Sequence, residues 1–88
     1  MQLKPIREQV VVVFGASSGI GRETALQFAR RGAKVVATAR GEDGLNSLVQ
    51  EIREQGGEAT AVVADTAVFD DVDRVARTAV ETYGRIDT

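Results

Sequence analysis

From Phe14 to Gly21 the chain reads Phe14-Gly15-Ala16-Ser17-Ser18-Gly19-Ile20-Gly21, three glycines in the spacing Gly-x3-Gly-x-Gly. A residue without a Cβ takes left-handed backbone angles freely and lets other groups approach the main chain. Gly15 would permit a sharp turn, Gly19 would let an anion reach the backbone, and Gly21 would let a helix sit close to the preceding strand. If the stretch opens a helix, the backbone N–H groups around Ser17, Ser18, Gly19 and Ile20 and the positive end of the helix dipole can cradle a diphosphate. A plain flexible turn is the other reading of the same glycines. Farther along, the guanidinium of Arg40 can meet a phosphate through charge-assisted, bidentate hydrogen bonds. Taken alone, Arg40 also reads as a solvated surface arginine.

The composition removes several other chemistries. With no His and no Cys, these residues cannot build a thiolate metal site, a disulfide or a Ser-His-Asp triad, and zinc binding is effectively excluded. The lack of Cys suits a reducing compartment, and Met1–Glu8 has no apolar signal-peptide core, so a cytoplasmic location is expected. The formal net charge of -2 comes from interspersed acids and bases and offers no broad basic face to nucleic acid or an anionic membrane. An apolar fraction of 43% and a charged fraction of 27% are those of a globular domain. A chain of 88 residues makes one small, marginally stable domain or part of a larger one.

Three repeats of one pattern would position the glycines and Arg40. The run Val10-Val11-Val12-Val13-Phe14 lacks polar alternation, as expected of a strand covered on both faces of a parallel sheet. Ala25, Phe28, Ala29 and Gly32 then recur at helical spacing, and Gly32 ends that helix. A second strand is expected over Lys34–Ala39, followed by a helix striped with Leu45, Leu48, Val49 and Ile52 and closed by Gly56-Gly57. The third strand is expected over Ala59–Ala64. A third helix, striped with Val72, Val75, Ala76 and Ala79, should end near Tyr83-Gly84. The order βαβαβα with helical crossovers predicts a parallel sheet of order 3-2-1 between helix layers, half of a Rossmann fold of the α/β class. Ile86 would begin a fourth strand.

The turn, together with Gly32-Ala33-Lys34-Val35-Val36, Gly56-Gly57, Asp65 and Tyr83-Gly84-Arg85-Ile86-Asp87, closely resembles the front half of the short-chain dehydrogenase/reductase family. That family's signature is Thr-Gly-x3-Gly-x-Gly, and the likeness covers nearly the whole chain. Phe14 stands where the family has its Thr, so a hydroxyl that normally ties the turn to its surroundings is missing. The resemblance implies a nicotinamide dinucleotide cofactor held by Gly15, Ser17, Ser18, Gly19, Ile20 and Gly21. NAD-preferring members carry an acid at the end of the second strand to bind the ribose hydroxyls. Here Ala39 and Arg40 occupy that point, which implies a preference for NADP(H), with Arg40 on the 2′-phosphate and Ser17 and Ser18 assisting; NAD(H) binding remains open. Asp65 and Thr66 correspond to residues that contact adenine, although on their own they also read as ordinary turn or cap residues. Ala67 replaces the usual Ser or Thr cap of the third helix, a loss that Asp70 and Asp71 can partly offset.

The family's Tyr-x3-Lys pair, its Ser and its Asn are not found in these 88 residues. Tyr83, with Asp87 four places on, reads as a helix-end packing residue. The expectation is therefore a fragment of an oxidoreductase without catalytic residues of its own, whether a cut piece, a proteolytic remnant or a short gene product. Loss of the fourth strand would expose the first strand's edge and favour self-association. Two alternatives stand: a non-catalytic dinucleotide-binding module and a pure interaction fragment. A methyltransferase would need an acid in place of Ala39-Arg40, and a phosphate-loop NTPase would need Gly-Lys-Ser/Thr in the turn. No substrate can be read from the sequence.

Overall fold

The computed structural model describes residues 5–88. Three strands, β1 (Val10–Phe14), β2 (Lys34–Ala39) and β3 (Glu58–Val63), alternate with three helices, α1 (Gly19–Arg30), α2 (Glu42–Glu54) and α3 (Phe69–Tyr83). A short 3-10 turn over Ile6–Glu8 precedes β1. Each strand reaches the next through a helix, so neighbours run parallel, and β2 lies between β1 and β3. The register sets Val10 beside Lys34 beside Glu58 and, at the other end, Phe14 beside Thr38 beside Val62.

Alternation along the strands divides the core in two. Val11, Val13, Val35, Ala37, Ala39 and Ala59 face α1 and α2, where Leu26, Leu45, Leu48 and Ile52 meet them. Val36 and Val62 face α3, against Val75 and Ala79, with Val12 and Tyr83 partly covered. Burying a side chain of leucine size contributes about 1.5–3 kcal/mol relative to leaving it exposed. The wholly buried Leu45, Leu48 and Ile52 therefore anchor α2. Helices on both faces of a parallel sheet in the order 3-2-1 are the expected half of a Rossmann fold.

Several details differ from the sequence expectations. β3 starts one residue earlier because the Gly56-Gly57 turn closes tightly, with the Gly57 N–H donating to Ile52 O at 2.9 Å, so Glu58 already pairs with Lys34. Ala64 still donates to Ala39 O at 2.9 Å, extending the ladder past the strand's end. On α1, Leu26 is buried while Phe28 is half-buried, which turns the helix's inner face slightly from the expected stripe. Gly84 ends α3 at φ 86, and the Tyr83 hydroxyl shares a 2.9 Å hydrogen bond with Thr60 Oγ1, consistent with a packing residue.

The outer edge of β1 is less bare than expected. Val12 donates to Thr88 O at 2.7 Å, Val10 O accepts from the Asp87 and Thr88 N–H groups, and the Val10 N–H donates to Asp87 Oδ2 at 3.0 Å. Asp87 and Thr88 thus lie against the start of the strand. Among the described residues, no helix is long and apolar enough to cross a membrane.

Candidate functional site

The site begins where β1 runs out. Gly15 and Gly19 take φ of 67 and 59, a region that costs a side-chain-bearing residue about 1–2 kcal/mol. A Cβ added at either would meet nothing within 4 Å, so the space above the turn is open. Gly21 is required for a different reason. Its added Cβ would strike the Gly15 carbonyl, coming within 2.8 Å of the carbon and nearer still to the oxygen. The turn thus folds back on the first turn of α1, and only a glycine fits there.

Two contacts hold this loop in place. The Ala16 N–H donates to Thr38 O at 3.0 Å, tying the turn to the end of β2. Ser17 rests on α2 at Gly44, where an added Cβ would come within 2.8 Å of Ser17 Cβ. Arg22 of α1 reaches across to α2, with Nη2 3.0 Å from Glu51 Oε1 and Nη1 3.4 Å from Gly44 O.

Ser18 is the N-cap of α1, but its side chain makes no cap hydrogen bond. The Arg22 N–H donates to Ser18 O at 3.4 Å, which leaves the Gly19, Ile20 and Gly21 N–H groups without intrahelical acceptors, as at any helix start. Unpaired amides at the positive end of a helix form a ready anion site. Among the described residues the Ser17 and Ser18 hydroxyls make no hydrogen bonds. The Ile20 side chain beside them is 88% exposed.

Next to this turn lies a cleft of about 360 Å³ walled by Phe14, Gly15, Ser17, Ser18, Thr38, Ala39, Arg40, Gly41, Ala64 and Thr66. Its volume is within the range of about 300–1,000 Å³ typical of small-molecule sites. Arg40 is the one charged side chain in the wall, and among the described residues it has no ion pair. The cleft stands at the carboxyl ends of parallel strands, where ligands of open α/β sheets bind.

The structure brings Gly15, Ser17, Ser18, Arg40 and Thr66 into one wall. Gly19, Ile20 and Gly21 continue directly from Ser18 as the first turn of α1 but are not part of that wall. Asp65 sits between two lining residues, yet its Oδ1 accepts the Ala67 N–H at 2.9 Å and its own N–H donates to Asp71 Oδ2 at 2.9 Å. That is turn and cap chemistry. The sequence reading missed Thr38 and Gly44. A lone Thr in an apolar strand was the available signal for the first; Gly44 gave none, because its role depends on how α2 lies against the turn.

The family described as short chain dehydrogenase matches residues 9–88. An uncharacterized oxidoreductase of Bacillus subtilis, YxnA, is 50% identical over 88 residues, all of this chain and 25% of that protein. The A-factor type gamma-butyrolactone 1′-reductase (1S-forming) of Streptomyces virginiae is 45% identical over 82 residues, 93% of this chain and 32% of that one. Among solved structures, a short chain dehydrogenase/reductase from Burkholderia phymatum in complex with NAD superposes with a TM-score of 0.91 at 31% identity, over 96% of this chain and 30% of that one. The chain spans about a quarter to a third of the length of these relatives.

Proposed function

The chain belongs to the short-chain dehydrogenase family, and from that premise we propose that it is the dinucleotide-binding part of an NADP(H)-dependent oxidoreductase interconverting a carbonyl and an alcohol. The observation that carries the reading is Arg40, a cation without an ion pair among the described residues, in a cleft wall next to the uncapped amides of α1. The α1 amides at Gly19, Ile20 and Gly21 would hold the diphosphate. Gly15 keeps the approach open, the Ser17 and Ser18 hydroxyls donate at the rim, and Thr66 contributes main-chain contacts near adenine. Asp65 shapes that wall, with its carboxylate also free to accept from the adenine amino group.

The cofactor preference follows from charge. An acid at the end of β2 would repel a 2′-phosphate, whereas a guanidinium binds it through charge-assisted hydrogen bonds. When bound, the nicotinamide ring supplies the hydride donor or acceptor. In this reading the chain's own residues bind and orient, and the Tyr83 hydroxyl is engaged by Thr60. Purified alone, the 88 residues would bind cofactor without carbonyl turnover. Zero Cys suits a cytoplasmic setting.

Titration of the chain with NADPH and NADH tests the proposal. Tighter binding of NADPH is the expected result. Equal or tighter NADH binding overturns the preference, and failure of either to bind overturns the site.

Self-association belongs to the same reading. Beside the outer edge of β1 runs an apolar groove of about 270 Å³ lined by Val12, Phe14, Val72, Val75, Ala76, Ile86 and Thr88. The occupant we assign to it is a second copy of the chain, since an apolar strand edge flanked by an apolar groove favours pairing with a like surface.

A further inference from the structure

We propose that Gly44 is a positioning residue for cofactor selection, fixing the distance between the diphosphate-binding turn and Arg40 by letting α2 seat directly on Ser17. The inference rests on the NADP(H) reading above and adds to it a residue outside the cleft wall. A glycine inside a helix asks for a reason, since glycine is among the poorest helix formers. Gly44 is the third residue of α2 and is not among the glycines with positive φ, so its backbone conformation does not call for one. Space does. A Cβ at position 44 would stand 2.8 Å from Ser17 Cβ, 3.2 Å from Ser17 O and 3.4 Å from Ser17 Cα, whereas non-bonded carbons rest about 3.5–4.0 Å apart.

Both sides of this contact are anchored. Leu45, next to Gly44, and Leu48, one turn on, are 0% exposed and hold α2 to the sheet. Across the junction, Ala16 is buried and its N–H is bonded to Thr38 O, which fixes the residue before Ser17. Arg22 closes the same junction from α1, its Nη1 donating to Gly44 O at 3.4 Å and its Nη2 to Glu51 Oε1 at 3.0 Å. The start of α2 is therefore pressed against the turn from two directions, and only a residue without a side chain leaves room for that approach.

The junction matters because of what it connects. Ser17 belongs to the turn that leads into the α1 amides, Arg40 and Gly41 lead directly into α2, and Ser17, Arg40 and Gly41 all line the cleft. On the proposed reading NADPH engages both points at once, its diphosphate at the turn and its 2′-phosphate at Arg40, while NADH engages only the first. Charge-assisted hydrogen bonds hold at about 2.7–2.9 Å. A retreat of α2 by the roughly 1 Å that a methyl group demands therefore loosens the grip on the 2′-phosphate while the turn keeps its own. Position 44 acts on the choice between the cofactors through Arg40.

Gly44→Ala, alone and combined with Ser17→Gly, tests the assignment when each chain is titrated with NADPH and NADH. The readout is the ratio of the two dissociation constants, because a fold defect that lowers the binding-competent fraction weakens both cofactors alike and leaves the ratio unmoved. G44A should lower the preference for NADPH by at least about threefold, a part of the roughly tenfold to hundredfold worth of hydrogen bonds to a charged group. S17G removes the Cβ that the new methyl group strikes, so the double variant should show the ratio of S17G alone within about twofold, the non-additivity expected of residues in contact. Where G44A does not fold, Arg22→Met carries the test: it leaves Gly44 in place, takes away the bond to its carbonyl, and should lower the ratio roughly two- to fivefold, the range of a partly exposed ion pair. A folded G44A with the wild-type ratio, a double variant as impaired as G44A, or in the last case an R22M chain with an unchanged ratio, overturns the role of Gly44 while the cofactor site stands. A wild-type chain without preference for NADPH overturns the NADP(H) reading itself, and the Gly44 assignment with it.

Discussion

On the proposed reading, Arg40 bears the difference between two cofactors that differ by a single phosphate. Hydrogen bonds to a charged group are each worth about 1.5–3 kcal/mol, or roughly tenfold to a hundredfold in affinity. Arg40→Ala should therefore weaken NADPH by about that factor while changing NADH by less than about threefold, because the guanidinium is assigned to a phosphate that NADH lacks. Fluorescence titration of both cofactors checks this, and a uniform loss for both would sink the assignment. Gly21 tests the turn in another way. Helix propensity alone predicts that Gly21→Ala gains about 1 kcal/mol, but the new Cβ collides with the Gly15 carbonyl, and overpacking typically costs about 1–3 kcal/mol. Net destabilisation in urea melts is the expected result, with cofactor affinity lost because the amides at Gly19 and Ile20 shift. These residues were legible in the sequence because spacing and charge are properties of the chain itself. Thr38 and Gly44 were not, because one is defined by the side chain beside it in the neighbouring strand and the other by the approach of the Ser17 turn, more than twenty positions away.

At the scale of elements, hydrophobic period was the reliable signal. Val10, Val11 and Val13 and the Leu45, Leu48, Val49, Ile52 stripe occupy the buried positions expected of them, whereas Val12 is only partly buried and Phe14, expected to be covered, is exposed at the sheet's end. Where period is silent the outcome was decided by hydrogen bonds. β3 began early because a glycine pair closed the turn before it, and α3 acquired its start from side chains flanking the missing Ser/Thr cap. Val68 caps α3 without a side-chain bond; Asp71 instead ties the preceding turn to the helix by accepting the Asp65 N–H, while Arg74 beside it donates to Val63 O at 2.7 Å and lies 3.5 Å from Asp71 Oδ1. Asp71→Ala removes the first bond and the ion pair. A loss of about 1 kcal/mol is expected, the usual scale for a capping residue, together with a measurable drop in cofactor affinity, because the Asp65–Thr66 wall is no longer held. Asp65→Asn keeps an oxygen to accept from Ala67. It should leave stability within about 0.5 kcal/mol of wild type, so any fall in adenine-nucleotide affinity in that variant reports a ligand role for the carboxylate rather than a turn role. A denaturant melt and a binding isotherm on each variant separate the two.

For the molecule as a whole the decisive feature is an asymmetry between the two outer strands. The β3 edge opens on polar and small residues such as Glu58 and Thr60, whereas β1 is all valine and phenylalanine and borders the apolar groove between α3 and Ile86. The sequence predicted an exposed first strand; the structure covers its start with Asp87 and Thr88, a pairing invisible to periodicity because two residues carry no period. What remains uncovered is concentrated near Phe14, 42% exposed, and Ile86, 41% exposed. Natural proteins blunt such edges with charge, especially lysine, and this one has none in the groove wall. The proposed self-association should rise with concentration in sedimentation velocity and light scattering. Ile86→Lys places a cation in the groove and should shift the chain toward monomer. The same substitution should leave NADPH affinity within about twofold of wild type, because Ile86 is absent from the cofactor cleft and changes away from a site rarely exceed about 0.5 kcal/mol. A chain that stays strictly monomeric at high concentration, or an I86K variant that associates as wild type does, would remove the groove as the contact surface.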